Sequence, residues 1–486
     1  MSKLSKLNQV YIFELILFFA IITGATPRWF SFILAGLLIG YSLFASLEDA
    51  SILFVRSIPF FIALPFTESF DNFNTWRIVS SIIFLRWVLG RENGGNKNPR
   101  WGRTAALLRG GAKGFLGTSL SLLLLIAILS VFVATDRGVA LTRIIYFINL
   151  SLIPIVIYHL DIKERLMRNI ALPVLLVTAL GFIQLILTYF IDIYQFIGFW
   201  GEGIQCRQFG NAWCYIATHV GNTWFAYYGP QLSLRMFSLF TDSHTFPIFL
   251  LLGLPSLFLL KSESTRKKWW WVVICFVYLA IILSGTRGIW LASVPVFVLA
   301  MILRKFSFKN LIPFFLLFIV AWPIFTSPQF LLAHGGLFRN RVKSIFDWRE
   351  TSNKARIEIW KASLTSIKHH PVLGVGIGNF PVVLAERLEL SDAGSSAHNL
   401  YLHVTAEMGI FALIVLLWFL WLVLKKLYDL QVTIYFSSML LFLPWVLAYV
   451  MTDVALFDER AFLITATVFA IILGHGTTNQ HQSRLP

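Results

Sequence analysis

About fourteen long apolar segments, nearly free of charged residues, follow one another along the chain. Most are about 17 to 25 residues long, enough for a helix to cross a hydrocarbon layer of about 30 Å. Hydrophobic residues make up 57% of the 486 residues and charged residues only 13%, whereas a water-soluble chain carries roughly 25% charged residues. The sequence therefore predicts a polytopic membrane protein. It excludes a cytosolic enzyme, a secreted domain and a transmembrane β-barrel, whose strands would alternate apolar and polar residues.

We predict an all-α fold: a polytopic membrane helix bundle of about 12–14 transmembrane helices. A large helical extracytoplasmic loop is inserted into it, and residues 1–486 form a single integral membrane domain. The predicted spans are 9–26, 29–47, 50–66, 75–90, 115–135, 139–160, 169–198, 244–260, 269–284, 288–303, 310–326, 398–424, 431–452 and 461–474.

The positions of the positive charges predict the orientation of the bundle. The net charge of +16 would also suit a nucleic-acid-binding protein, but most cations lie in short links between apolar segments, where lipid headgroups and the positive-inside bias account for many of them. With a cytoplasmic N-terminus, every inside link except that at Glu48-Asp49 is basic, and the outside link 68–74 is acidic. We therefore predict no nucleic-acid partner, and a first helix, 10–25, that is retained and not cleaved as a signal peptide.

Two predicted outside loops are long, at 199–243 and 327–397. The first contains Cys206 and Cys214, and the compartment outside the cytoplasm permits a disulfide between them. A loop of this length can close, but two neighbouring thiols need not pair, so the sequence leaves the bridge open. The second loop carries more cations than acids, against the positive-inside bias, which indicates an anionic partner outside the cytoplasm.

The first candidate functional motif is Ser284-Gly285-Thr286-Arg287-Gly288, at the outer end of one predicted span and the start of the next. Glycines allow a tight turn and a close approach to a ligand. The guanidinium of Arg287 offers a rigid fork of donors that matches phosphate oxygens. An arginine at this depth can equally extend to lipid phosphates, and position alone does not decide between the two roles.

A second motif lies in the longer outside loop. Apolar residues recur at helical spacing over 354–370 and predict an amphipathic helix that lies on the membrane surface or packs on the bundle, with Arg356 near its amino-terminal turn. The apolar face comprises Ile357, Trp360, Leu364 and Ile367. Pro371 ends the helix. Because the following Gly374-Val375-Gly376-Ile377-Gly378 precedes no βαβ unit, we interpret it as a structural turn and not as a nucleotide-binding fingerprint.

A third motif, residues 395–403, opens the twelfth predicted span. We expect Ser395 or Ser396 to cap this helix, which places His398 in its first turn at the outer membrane face. An imidazole accepts a proton readily near neutral pH. A single histidine at a helix start can also serve only as a hydrogen-bonding group, and the motif alone leaves both roles open.

A fourth segment, 235–244, places Arg235, Asp242 and His244 at the same predicted membrane depth. The titratable groups considered together as metal ligands are His244, His398, His403 and Glu407. They fit no recognised ligand spacing, so we predict no metal site. No cofactor is predicted.

Four motifs follow one another in the second half of the chain: S-G-T-R-G-I-W at 284–290, R-I-E-I-W-K-A-S at 356–363, H-P-V-L-G-V-G-I-G-N-F at 370–380, and H-N-L-Y-L at 398–402 with E-M-G-I at 407–410. Together, and in this order, they resemble the O-antigen ligase and polymerase family. The resemblance covers roughly residues 235–425. It implies a bacterial glycosyltransferase of the cytoplasmic membrane, with an active site that faces the periplasm or exterior.

The resemblance also implies substrates and residue roles. Such an enzyme moves a glycan from a polyprenyl (undecaprenyl) diphosphate carrier to an acceptor hydroxyl on a glycan or on lipid A core, beside membrane lipids. Arg287, Arg356 and Arg235 would bind the diphosphate, and His398 would be the catalytic base. The residues expected to support them are Asp242, His244, Tyr401 and Glu407. Polymerase and ligase are not distinguished by the sequence.

Physical chemistry is consistent with this donor. Nucleotides are not supplied outside the cytoplasm, so a transferase there needs a donor that is already activated and bound to the membrane. Because a diphosphate is a good leaving group, one base suffices without a general acid, and we expect a direct, metal-independent displacement with inversion. The alternative is a transporter or flippase of lipid-linked glycans. Transporters bind near the midplane, often between repeats, whereas the polar motifs here gather at outer helix ends.

Overall fold

The computed structural model describes residues 5–68, 70–90, 111–215, 224–228, 231–302, 316–321, 323–325, 327, 329–331, 351–385 and 396–476. The segments 332–350 and 386–395 of the second predicted outside loop, and with them Ser395, lie outside the described residues.

The elements follow one another along the chain as a series of helices with two short hairpins. The helices are α1 Lys6–Ile22, α2 Phe30–Phe44, α3 Leu47–Ser57, α4 Trp76–Val88, α5 Gly111–Ser130, α6 Arg137–His159, α7 Lys163–Asn169, α8 Ala171–Leu187, α9 Ile193–Phe196, α10 Cys206–Phe209, α11 Asn211–Tyr215, α12 Thr245–Glu263, α13 Lys267–Leu283, α14 Arg287–Ile302, α15 Thr351–His369, α16 Phe380–Ala385, α17 Leu400–Asp429, α18 Ile434–Tyr449 and α19 Glu459–Gly474. The antiparallel hairpins are β1 Ala63–Leu64 with β2 Phe73–Asn74, and β3 Phe225–Tyr228 with β4 Gln231–Leu234.

Four helical stretches are long and apolar enough to cross a membrane. They are Arg137–His159, Lys163–Leu187, Thr245–Glu263 and Leu400–Asp429. Shorter apolar helices lie at Phe30–Phe44, Gly117–Ser130, Arg287–Ile302, Leu316–Phe325 and Ile434–Tyr449. The predicted fold class, an all-α membrane helix bundle, is therefore confirmed.

The helix α12 lies at the centre of the bundle, where it packs against α8, α13, α18 and α19. Every residue from Thr245 to Leu257 is buried. Its sequence is apolar around the whole circumference, as expected for a helix without an exposed face. A Cβ on Gly253 would lie 2.2 Å from Cγ2 of Val174, so glycine is required for the close contact between α12 and α8.

Ion pairs join three links at one end of the bundle. Arg165 in α7 pairs with Glu48 at 3.0 Å and with Asp49 at 2.7 Å, and Arg168 pairs with Glu263 at 2.9 Å. The link that lacks a cation of its own thus receives one from α7. This end contains the start of α3 and the end of α12, whereas the start of α12 lies at the opposite end with the predicted site residues.

The predicted glycine-rich turn packs into a break in α17. Gly409 interrupts this helix with a φ of 82°, and the carbonyls of Ala406 and Glu407 accept backbone N–H groups from Val375 at 3.0 Å and Gly376 at 2.9 Å. A Cβ on Gly409 would lie 2.0 Å from a carbonyl oxygen of the turn, so only glycine fits there. The segment is a structural turn, as the sequence predicts.

The span predicted at 169–198 is too long. The helix α8 ends at Leu187, and a new helix begins at Ile193 because Asp192 and Gln195 form a capping box. The chain then continues through a π-helical segment, Ile197–Gln205.

The buried face of α15 also differs from the prediction. The helix itself is confirmed, but its most buried residues are Ile359, Ala362, Ser363 and Ser366, and Leu364 is 57% exposed. The small side chains at 362, 363 and 366 allow α15 to lie against α17. The face with these small residues is therefore buried, whereas part of the predicted apolar face, including Leu364, is not.

Candidate active site

The amino-terminal end of α14 carries Arg287 and is pressed against the end of α18. Gly285 has a φ of 61°, which makes the tight turn between α13 and α14. A Cβ on Gly288 would lie 2.3 Å from Oγ1 of Thr452 and 2.9 Å from Cε2 of Tyr449. The two glycines of the first motif thus serve the turn and the contact, and Arg287 lies half-buried between them.

Arg235 lies beside this turn. Its Nη2 donates to Oγ1 of Thr286 at 3.3 Å and to Nε2 of His244 at 3.3 Å. Burial is the main cause that lowers the pKa of Arg235, to about 10, and the charge of Arg287 lowers it further. The guanidinium remains protonated at neutral pH. Its Nε is buried and has no hydrogen-bond partner among the described residues.

Asp242 and His244 hold the start of α12 next to Arg235. The carboxylate of Asp242 accepts the backbone N–H groups of His244 and Thr245, each at 2.8 Å. Oγ1 of Thr286 donates to the carbonyl of Ser243 at 2.7 Å. These bonds fix the segment 241–245 against the turn before α14.

His244 connects Arg235 to a carboxylate that the sequence motifs did not indicate. Nδ1 of His244 lies 2.9 Å from Oδ2 of Asp453 and 2.8 Å from the hydroxyl of Tyr449. Because a guanidinium only donates, Nε2 accepts from Arg235 and the Nδ1–H faces the Asp453 carboxylate. Burial raises the pKa of Asp453, but His244 and the charge of Arg356 outweigh it and hold the pKa well below its usual range.

His398 lies just before α17 and not in its first turn, so the predicted cap is wrong. The cap is Asn399, whose Oδ1 accepts the N–H of Leu402 at 3.1 Å. An asparagine caps as well as a serine does, and His398 itself has a φ of 45°, outside the helical region. The N–H of Leu400 donates to the carbonyl of Val450 at 2.8 Å, which joins the start of α17 to the loop that carries Asp453.

The protonation state of His398 suits a proton acceptor. Burial lowers the pKa of His398 to about 4, although the Asp453 carboxylate opposes the shift and the charge of Arg356 adds to it. The imidazole is therefore neutral at neutral pH. Arg356 is half-buried in the second turn of α15, and its charge acts on His398, Tyr449 and Asp453.

The structure thus brings together the four principal predicted residues, Arg235, Arg287, Arg356 and His398, with Asp242 and His244. Tyr401 lies close by, where its hydroxyl donates to the carbonyl of Leu447 at 3.0 Å. Glu407 belongs to a different group, because its carboxylate lies 3.2 Å from Nε2 of His403 and accepts the N–H of Phe380 at 3.1 Å.

The residues that the sequence analysis missed are Asp453, Tyr449 and Thr286. Thr286 lies within the first motif and was read only as part of a turn. Asp453 follows a predicted span in a short link, and an acid there carries no local pattern. Its partner His244 lies more than 200 residues earlier in the chain, so only the folded arrangement identifies the pair.

Cys206 and Cys214 form a disulfide with Cα atoms 4.7 Å apart, which joins α10 to α11 in the first of the two long loops that the sequence predicts to lie outside. Cys275, in α13, is a free thiol. Among the described residues, no group of three or more histidine, cysteine, aspartate or glutamate side chains is arranged to hold a metal ion.

Comparison with known proteins identifies one family. The family model described as O-antigen ligase matches residues 270–417. No curated protein matches the chain. The matched region contains Arg287, Arg356 and His398, whereas Arg235, His244 and Asp453 lie outside it. The resemblance predicted from the motifs is therefore confirmed over residues 270–417, where the chain matches the O-antigen ligase family model.

Proposed function

We propose that this protein transfers a glycan from a polyprenyl-diphosphate carrier to an acceptor hydroxyl, at the outer face of the bacterial cytoplasmic membrane. The family match over residues 270–417 indicates O-antigen ligase-type glycosyl transfer in general. The observation that carries the finer proposal is the gathering of three arginines, Arg235, Arg287 and Arg356, with a neutral imidazole at one end of the bundle.

The surplus of positive charge supports a diphosphate as the bound group. The two carboxylates near the arginines are already engaged, Asp242 by backbone N–H groups and Asp453 by His244. The buried Nε of Arg235 has no hydrogen-bond partner among the described residues. A phosphate oxygen would supply both the missing acceptor and the missing negative charge.

In the proposed reaction, His398 accepts the proton of the acceptor hydroxyl as its oxygen attacks the anomeric carbon of the donor glycan. The bond between that carbon and the diphosphate oxygen breaks, and the electron pair leaves with the diphosphate. Negative charge grows on the leaving group, where preorganised arginine donors stabilise it more than in the ground state. Attack from the face opposite the leaving group inverts the anomeric configuration, and no metal is required.

The test uses the full-length protein in lipid nanodiscs with a synthetic polyprenyl-diphosphate glycan and an acceptor glycan. We expect product of inverted configuration, formed without a membrane gradient and in the presence of a chelator. Arg287→Ala should lower the rate roughly 100- to 1,000-fold, as for the loss of one oxyanion donor. Donor moved across proteoliposomes without product would instead identify a transporter.

A deletion strain would separate the two acceptor classes. If surface glycans lose their chain length but retain single repeats, the enzyme is a polymerase. If all attached glycan is lost while lipid-linked chains accumulate, the enzyme is a ligase.

A further inference from the structure

The backbone of His398 adopts a conformation that a histidine rarely takes. Its φ is 45°, in the left-handed region, which costs a residue with a Cβ about 1–2 kcal/mol. Such conformations persist only where the surrounding structure holds them, and they are frequent at functional sites. The contacts of the preceding residue show what holds this one.

Ala397 is held through both of its backbone polar groups. Its N–H donates to Nδ1 of His403 at 3.3 Å, and its carbonyl accepts from Nε1 of Trp360 at 2.9 Å. Ala397 itself is completely buried. Trp360 belongs to α15 and His403 to α17, so the residue before His398 is fixed between two helices.

His403 is fixed in turn by its own neighbours. Its ring stacks on Phe380 with centroids 4.5 Å apart, and its Nε2 lies 3.2 Å from the carboxylate of Glu407. Because Nδ1 accepts from Ala397, the proton is on Nε2 and faces the carboxylate. His403 and Glu407 are each only 5% exposed. This carboxylate and imidazole have no part in the proposed reaction.

We propose that Trp360, His403 and Glu407 are positioning residues that hold His398 in its left-handed conformation. Without them the backbone relaxes towards negative φ and turns the imidazole away from the acceptor. This inference rests on the proposed function, since it assumes that the His398 imidazole takes the acceptor proton. The proposal assigns these three residues to the position of His398 and none of them to the donor, so the rate of the chemical step should change more than KM for the donor.

The experiment compares variants that remove single hydrogen bonds. Trp360→Phe removes the donor to the Ala397 carbonyl, and His403→Leu removes the acceptor for its N–H. Each should lower kcat roughly 10- to 100-fold, since a displacement of about 1 Å costs up to about 100-fold, with KM for the donor unchanged. His403→Asn retains an acceptor in place of Nδ1 and should recover most of the lost rate. Trp213→Phe, which loses an indole bond to Gln205, is the matched control and should leave kcat unchanged.

A double variant separates positioning from a general structural role. In a His398→Ala background, Trp360→Phe should leave the residual rate unchanged, because Trp360 affects the reaction only through the position of His398. Two results would overturn the positioning role and leave the proposed function unaffected. One is a double variant in which the rate losses of His398→Ala and Trp360→Phe multiply, and the other is an unchanged kcat in both Trp360→Phe and His403→Leu. A near-normal rate in His398→Ala alone would overturn the proposed function. If His403→Leu does not fold, Trp360→Phe and the double variant still decide.

Discussion

Two arginines lie among polar groups near the same end of the bundle, and they differ in the charges around them. Arg460 is fully buried and Arg235 is half-buried. Arg460, at the start of α19, follows two acids in the chain and lies 3.6 Å from the carboxylate of Glu459. Its Nη2 donates to the carbonyl of Phe61 at 2.9 Å, and its guanidinium lies 4.3 Å from the ring centroid of Phe209. Arg235, in contrast, has another arginine, Arg287, acting on its charge besides the carboxylates of Asp242 and Asp453.

The difference distinguishes a structural ion pair, Arg460 with Glu459, from the proposed binding site around Arg235. Glu459 is held by the indole of Trp76 and the amide of Asn74, each at 2.6 Å, so the charge of Arg460 is balanced within the protein. The charges of Arg235 and its neighbours exceed those of the nearby carboxylates. A buried charge needs a partner, and for the second group that partner is proposed to be the substrate.

The largest effect is expected where the proposed base is removed. His398→Ala should lower the transfer rate about 100- to 10,000-fold, the range for loss of general-base catalysis, with membrane insertion and expression intact. His369→Ala, at an exposed histidine at the end of α15, is the control and should be near normal. Transfer assays on both purified variants check this, and substantial turnover by His398→Ala would remove the base from the mechanism.

The same residue determines the acid limb of the pH profile. Burial lowers the pKa of His398 to about 4, so the neutral, proton-accepting form persists as the pH falls and is lost only through about pH 4. We would measure kcat/KM from about pH 3.5 to about pH 8, the range in which histidine side chains titrate. The value of kcat/KM should stay constant down to about pH 5. An acid limb centred near 6.5, the ordinary value for an exposed imidazole, would contradict this environment.

The next effects compare the two arginines directly. Arg235→Met should lower the transfer rate roughly 100- to 1,000-fold with little loss of stability, because it removes a charge that the protein leaves uncompensated. Arg460→Met should instead destabilise the fold by about 1–3 kcal/mol, because it leaves the buried carbonyl of Phe61 without its donor and the half-buried carboxylate of Glu459 without its cation. Thermal unfolding in detergent and transfer assays on both variants test the distinction. The distinction between the two arginines would be wrong if both variants lost activity and stability to the same extent.

The sequence alone predicts the helical bundle and the residues of local motifs. Apolar length and loop charge determine the spans, and Arg287 and His398 each lie in a short pattern that a reader can recognise. No local pattern in the sequence identifies Asp453, because its contact with His244 depends on the packing of α12 against α18. The sequence does not distinguish Asn399 from Ser395 or Ser396 as the cap, because serine and asparagine cap helices equally well, and no local pattern predicts the left-handed φ of His398.

A smaller effect, on stability, is expected at Asp458, the acid that precedes the pair of Glu459 and Arg460. Burial raises the pKa of Asp458 to about 6; Arg460 opposes the rise, and Asp242 and Glu459 add to it. The folded state thus binds this proton more tightly than the unfolded state, and the stabilisation is lost as the pH rises through about 6. Asp458→Asn should raise the free energy of unfolding at pH 7.5 by on the order of 1–3 kcal/mol, since one pKa unit corresponds to about 1.4 kcal/mol.

The gain at Asp458 should disappear below about pH 4, where both states are protonated. Asparagine can still cap α19, so the helix start is preserved. The control is Asp136→Asn at the exposed cap of α6, which should change stability little at either pH. A gain at Asp458 that is independent of pH would show that the charge is not its source.

The smallest effect concerns the conformation of His398. At a φ of 45° alanine carries the steric cost of its Cβ and glycine does not, so His398→Gly should be more stable than His398→Ala by about 1 kcal/mol. The control pair, Thr365→Gly and Thr365→Ala on the exposed face of α15, should show the reverse order by a similar amount. Both His398 variants lack the imidazole, so the difference in their unfolding temperatures reports only the backbone. Equal stabilities would mean that the chain relaxes to an ordinary φ once the imidazole is gone. The imidazole would then hold the backbone, and the positioning role of Trp360 and His403 would be lost.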